Sequence, residues 1–208
     1  PPGSAAANTK ITQCAGWVIY GQHARIVAGI EKGFFKKAGL DVNFVRGFGS
    51  MDSMTKVHAG ACDIGESSAG VVAVARVRGI KAKIFNMMMP KFTETLYYFA
   101  ESGIKRLKDL EGKIITGGPK AAADILLWPL FAKVNGIDPG KNKVIYMPPP
   151  AKASSLGAGK VDAVIDFHFQ LPKYEKVAKQ AGKTLVKVLW ADQGMDIYAN
   201  GMIASDET

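Results

Sequence analysis

The sequence predicts an α/β protein of two similar lobes, each built on a mostly parallel β-sheet flanked by helices, with a ligand cleft between the lobes. Segments with strand character alternate along the chain with segments of helical periodicity, an order typical of parallel sheets. The second half of the chain then repeats the layout of the first. Of the 208 residues, 48% are hydrophobic. No apolar run reaches the ~18 residues that a membrane span needs, which excludes an integral membrane protein.

The first half contains seven expected elements. Apolar residues at helical spacing predict a helix from His23 to Lys37, and Gly39 follows as its left-handed stop. Asp41–Val45 alternates between polar and apolar residues, which favours a strand. The expected order is strand 11–15, helix 23–37, strand 41–45, helix 51–58, strand 61–64, helix 67–77 and strand 82–86.

The second half has the same alternation. Pro119 stands at the favoured first position of a helix that runs to about Val134, and Pro129 inside this helix predicts a kink. The expected order is an extended run 96–100, strand 114–116, helix 119–134, strand 144–147, helix 152–158, strand 163–167, helix 173–181 and strands 185–190 and 197–204.

The two halves also repeat each other in individual residues. A helix ends in Gly39 in the first half and in Gly136 in the second, 97 positions later; Gly60–Asp63 matches Gly159–Asp162, 99 positions later. Each glycine suits a helix end at positive φ, and each aspartate is expected to bond to local turn backbone. Two such lobes would turn the carboxyl ends of their strands toward a shared crevice, where open α/β sheets bind ligands.

The lysine and arginine residues outnumber the aspartate and glutamate residues by 27 to 18, a net charge of +9. This excess suits an anionic ligand or an acidic partner, and equally a solvated basic surface. The lysines are scattered, and no arginine-rich helix or RNA-binding aromatic motif occurs. We therefore expect no nucleic-acid partner.

The two cysteines, Cys14 and Cys62, lie in no CxxC motif, and no Cys/His spacing indicates zinc. We expect two small buried core residues, with a disulfide as the alternative if their strands are neighbours. Residues 1–9, rich in small residues, are expected to form a flexible tether that follows a removed export signal or an expression tag. We expect no signal peptide within the residues given.

Three segments, taken in order, are specific enough to suggest a family. They are Glu31–Val42 (EKGFFKKAGLDV), Gly60–Gly70 (GACDIGESSAG) and Ile104–Pro119 (IKRLKDLEGKIITGGP). Over about residues 10–205 the chain resembles ABC-transporter substrate-binding proteins, of the type shared by taurine, alkanesulfonate, nitrate and thiamine-pyrimidine binding proteins. The resemblance implies the type 2 periplasmic-binding-protein fold. Such proteins usually continue past the last strand with helices that complete lobe 1, so we expect a truncated chain or a short variant.

The fold implied by the resemblance divides the chain into lobes. Residues 10–90 are expected to form lobe 1 and 91–196 lobe 2, with hinge strands near 87–100 and 186–198. Residues 197–208 would then return to lobe 1. The implied function is the solute-binding component of an ABC importer: a periplasmic, lipid-anchored or extracellular monomer that presents a small organic ligand, anionic or aromatic and heterocyclic, to an inner-membrane permease.

The resemblance leaves two alternatives open. One is a ligand-sensing domain of a larger protein, and the other is an enzyme similar to the pyrimidine-precursor synthases of yeast, which share the fold. The chain has no cysteine cluster for an iron site and no HExxH, GxSxG or P-loop motif. We therefore expect no catalysis and no metal or other cofactor.

Loops that follow the strands are expected to supply the ligand contacts. The candidates are Trp17, Tyr20, Gln22, His23, Ser50, Ser67 and Ser68 in lobe 1, and Gly118, Lys120, Asp166, Phe167 and His168 in lobe 2. The aromatic residues suggest a flat ligand held by stacking. Ser67 and Ser68 stand where a helix N-terminus favours an anion, or serve only as helix caps. Asp166 and His168 suit an amine or a polar ring edge.

Overall fold

A computed structural model describes residues 7–208 and contains two separate five-stranded sheets. Residues 1–6 of the predicted tether lie outside the described residues, and Thr9 already belongs to the first strand. The strands are β1 (Thr9–Cys14), β2 (Leu40–Val45), β3 (Ile64–Ser68), β4 (Ala82–Met87), β5 (Glu94–Phe99), β6 (Ile114–Gly117), β7 (Lys143–Tyr146), β8 (Ala163–Phe167), β9 (Leu185–Leu189) and β10 (Asn200–Ser205).

Helices flank both sheets. They are α1 (Ala24–Glu31), α2 (Phe34–Lys37), α3 (Ser50–His58), α4 (Ala69–Val77), α5 (Ala123–Val134), α6 (Pro149–Gly157) and α7 (Leu171–Ala181). Across residues 7–208, every helix is too short or too polar to cross a bilayer.

The two sheets have the same topology. The first has the order β2-β1-β3-β10-β4 and the second β7-β6-β8-β5-β9. The pairs of β1 with β2 and β3, and of β6 with β7 and β8, are parallel, whereas β10 and β5 run antiparallel to both of their neighbours. Four of the five strands in each sheet therefore run one way, which confirms the predicted pair of mostly parallel lobes.

The chain passes between the sheets twice. It leaves the first sheet after β4 and enters the second at β5, and it returns after β9 to add β10 to the first sheet. We call the first sheet with its helices the first lobe and the second sheet with its helices the second lobe. The lobe boundaries and the hinge role of residues 87–100 and 186–198 stay predictions.

The repeated aspartates hold the same place in both lobes. The carboxylate of Asp63 accepts the Thr12 N–H at 2.7 Å, and the carboxylate of Asp162 accepts the Ile114 N–H at 2.8 Å. The backbone N–H of each aspartate returns a bond to the carbonyl of the same partner. The predicted local turn bond is therefore wrong: Asp63 ties the start of β3 to β1, and Asp162 ties the start of β8 to β6, its parallel neighbour.

One predicted helix is two. Residues 23–37 form α1 and α2, because Gly33 between them has φ +68°, a left-handed conformation that an α-helix cannot continue. The predicted stop at Gly39 is present, with φ +76°.

Two other boundaries differ from prediction. The strand expected at 61–64 is β3, at Ile64–Ser68, because burial between β1 and β10 overrides the polar character of these residues. Helix α5 begins at Ala123 and not at Pro119, since Asp124 bonds to the Gly118 N–H and draws residues 118–122 into a turn.

Cys14 and Cys62 are joined in a disulfide, with their Cα atoms 6.0 Å apart. Both residues are also buried in the first-lobe core, so both sequence readings hold. Because β1 and β3 are neighbours in the sheet, the disulfide links the end of β1 to the residues just before β3. In the chain-entropy model a bond closing a loop of this length contributes roughly 4 kcal/mol.

The largest apolar cluster joins the lobes. Its centre lies in the second lobe, where the Phe131 and Trp190 rings stack with centroids 4.3 Å apart. Val71 on α4 of the first lobe belongs to the same cluster as Leu127 on α5. Burial of these side chains favours the arrangement in which the two lobes touch.

Candidate functional site

A narrow cavity lies between the lobes, as the repeat predicted. Its walls come from the strand ends of both sheets and from the first turns of α3, α5 and α6. The lining residues are Gly16, Trp17, Ser50, Glu94, Ala122, Ala123, Asp124, Lys152, Asp166, Phe167 and Asn200. The empty volume is about 400 Å³ with the open mouth included. Its enclosed part has room for about one water molecule.

Aromatic contacts cross the cavity mouth. The Trp17 ring of the first lobe meets the Phe167 ring of the second edge to face, with centroids 6.3 Å apart. Tyr20 also contacts Phe169 across the lobes, with the two rings tilted by 36° and their centroids 6.2 Å apart. The Met51 N–H also donates to a carbonyl of the second lobe, that of Ala121, at 3.1 Å. The structure is therefore that of a closed form, and the cavity becomes accessible only when the lobes separate.

Two glycines allow this close approach. A Cβ atom at Gly118 would lie 2.7 Å from the Trp17 ring. A Cβ atom at Gly49, whose φ is +130°, would lie 2.5 Å from the Ala121 carbonyl oxygen. Any side chain at either position would push the lobes apart, so glycine is required at both contacts.

The second-lobe wall is charged. The Lys152 ammonium lies 3.2 Å from Asp124 Oδ2 and 3.6 Å from Asp166 Oδ1, and it donates to the Ile165 carbonyl at 2.8 Å. The Tyr174 hydroxyl donates to the other oxygen of Asp166 at 2.7 Å. Burial alone lowers the pKa of Lys152, but the attraction of Asp124 and Asp166 outweighs it, and the pKa is raised.

Glu94 adds a third carboxyl to this wall. It is the first residue of β5 and is only 3% exposed. Burial raises its pKa to about 8, and repulsion from Asp124 acts in the same direction. Lys152, Asp124 and Asp166 are each less than a tenth exposed as well, so the four charges share one dry site.

The first lobe has a charged wall of its own, which lines a neighbouring cavity and forms a balanced charge network. Glu66 on β3 accepts from His23 Nε2 at 3.1 Å and from the Arg25 guanidinium at 3.3 Å. Because His23 Nδ1 accepts the Tyr20 N–H, the ring proton lies on Nε2 and points at Glu66. A second cavity lies beside this network, lined by Gln22, His23, Arg25, Glu66, Met88, Met89 and Asn200.

The structure brings four of the predicted contact residues to the interlobe cavity: Trp17, Ser50, Asp166 and Phe167. Gln22 and His23 line the second cavity, and Tyr20 lies over Phe169. Gly118 lies against the Trp17 ring. Lys120 and His168 are exposed and line neither cavity.

The two predicted serines are buried beside the cavity. The Ser68 N–H donates to Ser50 Oγ at 3.1 Å, and Ser67 Oγ donates to the Ser50 carbonyl at 3.4 Å. Ser67 lies within β3, and Ser68 stands at the N-cap position of α4 without a side-chain cap bond, so the capping alternative is wrong. Their role in ligand contact stays a prediction.

Sequence reasoning missed Glu94, Asp124, Lys152 and Asn200, which all line the cavity. Glu94 and Asn200 each begin an antiparallel strand, so they lie at the same edge as the ends of the parallel strands. Sequence reasoning that considered only the loops after parallel strands therefore missed both residues. For Lys152 the available signal was a lysine among small residues near the start of a helix whose first two residues are prolines.

A family model described as NMT1/THI5 like matches residues 21–208. The chain belongs to this family. No curated protein is similar enough to this chain for a significant match.

Solved structures similar to this chain have the type 2 periplasmic-binding-protein fold. The alkanesulfonate-binding protein SsuA from Xanthomonas axonopodis pv. citri, bound to MOPS, has a TM-score of 0.69 at 16% identity over 99% of this chain and 68% of that one. The periplasmic aliphatic sulphonate binding protein SsuA from Escherichia coli has a TM-score of 0.67 at 14% identity, over 98% and 66%.

A third similar structure is the binding protein component of an ABC phosphonate transporter from Pseudomonas aeruginosa, with a TM-score of 0.68 at 15% identity over 97% of this chain and 70% of that one. The chain thus spans about two thirds of the length of these proteins. At such identities the likeness shows the fold, and the ligands named for these proteins remain theirs.

Proposed function

We propose that this chain is the ligand-binding part of an ABC importer, which holds a small flat organic molecule in the interlobe cavity and presents the closed form to a permease. The observation that carries the proposal is the cavity itself, which lies between two topologically identical lobes and has the Trp17 and Phe167 rings at its mouth. The membership of the chain in the NMT1/THI5-like family and its likeness to solute-binding proteins support the same assignment.

The mechanism requires no chemical step. Hinged lobes close around a ligand, and the ligand shifts the balance toward the closed form only by its higher affinity for that form. In the closed form the ring contacts at the mouth would be exchanged for contacts between each ring and the ligand. Stacking between aromatic side chains favours a planar guest. Binding without catalysis, as a monomer, is part of this proposal.

The proposed compartment lies outside the cytoplasm, in the periplasm or at the cell surface. The Cys14–Cys62 disulfide supports this location, because disulfides persist in oxidising compartments and are rare in the cytosol. Likeness to proteins described as periplasmic supports it further.

A thermal-shift screen of pyrimidines, sulfonates, aromatic acids and nitrate-like anions tests the proposal. A compound that binds the folded chain raises the melting temperature in proportion to its excess over Kd. We expect one class to do so, and we expect the same compound to reduce the radius of gyration in X-ray scattering. Absence of any shift across the screen, or binding without compaction, would contradict the proposal.

The substitution Trp17→Ala then locates the site. We expect it to weaken binding of the identified compound by more than ~1.5 kcal/mol, because it removes a ring that flanks the ligand. Phe34→Ala is the matched control, since Phe34 is an exposed aromatic residue at the start of α2 and is not among the residues that line the cavity. Equal affinities of the two variants would remove Trp17 from the site.

A further inference from the structure

Resting on the proposed function, we propose that the cavity takes a ligand with a positively charged nitrogen, and that Glu94 is the residue that pairs with this nitrogen. The class of ligand is a small planar cation, such as an amidinium or a protonated nitrogen heterocycle. This choice is opposite to the anion that the net charge of +9 suggests.

The charges of the cavity wall carry the argument first. Three carboxyl groups, those of Glu94, Asp124 and Asp166, face one ammonium, that of Lys152, and all four residues are less than a tenth exposed. With all four ionised the wall has a net charge of −2, and with Glu94 protonated it has −1. Unpaired charge in a dry site raises the free energy of the folded chain. A cation that binds there lowers this free energy, whereas an anion raises it further.

The bonding of each carboxyl singles out Glu94. Asp124 accepts from the Gly118 and Ile125 backbone N–H groups and from Lys152. The carboxylate of Asp166 is likewise occupied by a hydroxyl, a backbone N–H and the Lys152 ammonium.

Glu94 has no such set of partners. The Lys152 ion pairs within 4 Å are with the two aspartates and not with Glu94. Backbone hydrogen bonds at Thr93 and Glu94 lower its pKa. In the part of the chain that the structure describes, no side chain donates to the Glu94 carboxyl. This buried group lines the cavity with acceptor capacity to spare, and a ligand N–H fits that capacity.

The residues around the cavity also favour an organic cation over a metal ion. Among residues 7–208, no group of three or more His, Cys, Asp and Glu side chains has an arrangement that could hold a metal ion. The positive charge is therefore that of an organic nitrogen. The Trp17 and Phe167 rings at the mouth favour a flat, delocalised cation, because aromatic faces attract such cations.

The titratable and charged groups that face Glu94 come from four elements. Asp124 on α5 opposes its ionisation, and Lys152 on α6 favours it. Asp166 on β8 lies beside Lys152 in the same wall. Tyr20 in the first-lobe loop carries a neutral phenol whose pKa is raised by burial and by the carboxyls of Asp166, Glu94 and Glu66. A cation pairs best with ionised Glu94. The affinity of the chain for a cationic ligand should therefore rise as the pH is raised toward and past 8.

Three probes of nearly one shape test the proposal: benzamidine, a cation; benzamide, which is neutral; and benzoate, an anion. Their affinities are measured by isothermal titration calorimetry at about pH 8.5, where more than half of Glu94 is ionised. We expect benzamidine to bind about tenfold or more tightly than either of the others. We expect Glu94→Gln to remove about tenfold of the benzamidine affinity and to leave benzamide within about twofold.

The matched control is Glu31→Gln, because Glu31 is an exposed residue at the end of α1. It should leave all three affinities unchanged. Melting curves of both variants establish that they fold, and the pH series on the unmodified chain provides a readout that needs no variant. There the benzamidine affinity should rise between about pH 6 and pH 9 while that of benzamide stays level.

Three results would overturn the proposal: benzoate or benzamide binding as tightly as benzamidine, Glu94→Gln retaining the benzamidine affinity, or no benzamidine binding at about 10 mM. Each is distinct from failure of the proposed function. If benzoate binds and compacts the chain, the solute-binding assignment stands and only the charge of the ligand is wrong. If neither these probes nor any screened compound binds, both proposals fall.

Discussion

The charged walls of the two neighbouring cavities come from equivalent positions in the two lobes and differ in their charge balance. Glu66 on β3 and Asp166 on β8 lie near the ends of corresponding strands. Glu66 is matched by an arginine and a histidine, whereas Asp166 belongs to a set of three carboxyls around one lysine. The comparison teaches that one topology can produce a charge-balanced network in one lobe and a wall with an excess of buried carboxyl groups in the other.

Exposure sharpens the contrast between the walls. The Arg25 side chain that pairs with Glu66 is 48% exposed, so solvent screens this ion pair. Lys152 is almost entirely buried, and removal of such a partner leaves charges that solvent cannot reach. Substitutions in the second-lobe wall should therefore have larger effects on stability than those in the first-lobe wall.

The largest effect is expected from Lys152→Met, which leaves Asp124 and Asp166 buried without a counter-ion. We expect a loss of about 3–5 kcal/mol, or a melting temperature lower by roughly 6–20 °C for a chain of this size. Differential scanning calorimetry measures it. Lys176→Met, at an exposed position of α7, is the control. A loss no greater than that of the control would mean that the second-lobe wall does not depend on Lys152.

The next effect is a pH dependence centred on Glu94. A carboxyl whose pKa is raised on folding holds its proton more tightly in the folded state. Its contribution to stability is complete below the ordinary value of 4.5 and is lost as the pH rises toward about 8. We expect the chain without ligand to lose on the order of 2 kcal/mol over this interval relative to Glu94→Gln. The free energy of unfolding in urea is measured for both proteins across this pH interval. If it changed with pH by the same amount in both, the prediction would be contradicted.

The smallest effects are expected from substitutions in the first-lobe wall, Glu66→Gln and Arg25→Met. The amide oxygen still accepts the His23 Nε2 proton, and Arg25 turns to solvent, so the cost should be about 1–2 kcal/mol. Arg25→Met should cost less than ~1 kcal/mol. The measurement is again the free energy of unfolding in urea. If Glu66→Gln cost as much as Lys152→Met, the distinction between the two walls would fail.

Sequence reasoning found the first-lobe wall more readily than the second-lobe wall. Trp17, Tyr20, Gln22 and His23 follow β1 directly, where an open α/β sheet is expected to bind ligands. In the second lobe it found Asp166 and Phe167 for the same reason. It missed Glu94 because that residue stands at the beginning of a strand, and whether a strand is antiparallel depends on its partners.

The misplaced strand near residue 64 has a related cause. Its residues Glu66, Ser67 and Ser68 lack the apolar pattern of a strand, yet they are buried between β1 and β10. The strand that covers them, β10, comes more than 130 residues later in the chain. Local pattern cannot anticipate a partner at that distance, because the free energy that orders such a strand comes from its neighbours.

The sequence by itself determined the layout of this protein: two α/β lobes, glycines that end helices at positive φ, and a cleft at the strand ends. These features follow from local periodicity and backbone sterics, which each segment carries within itself. Only the tertiary structure decided the charge of the cleft, since Glu94, Asp124, Lys152 and Asp166 come from four separate elements. The net charge of the chain did not predict the charge of the cleft. Exposed lysines determine the net charge, whereas a few buried carboxyl groups determine the charge of the cleft.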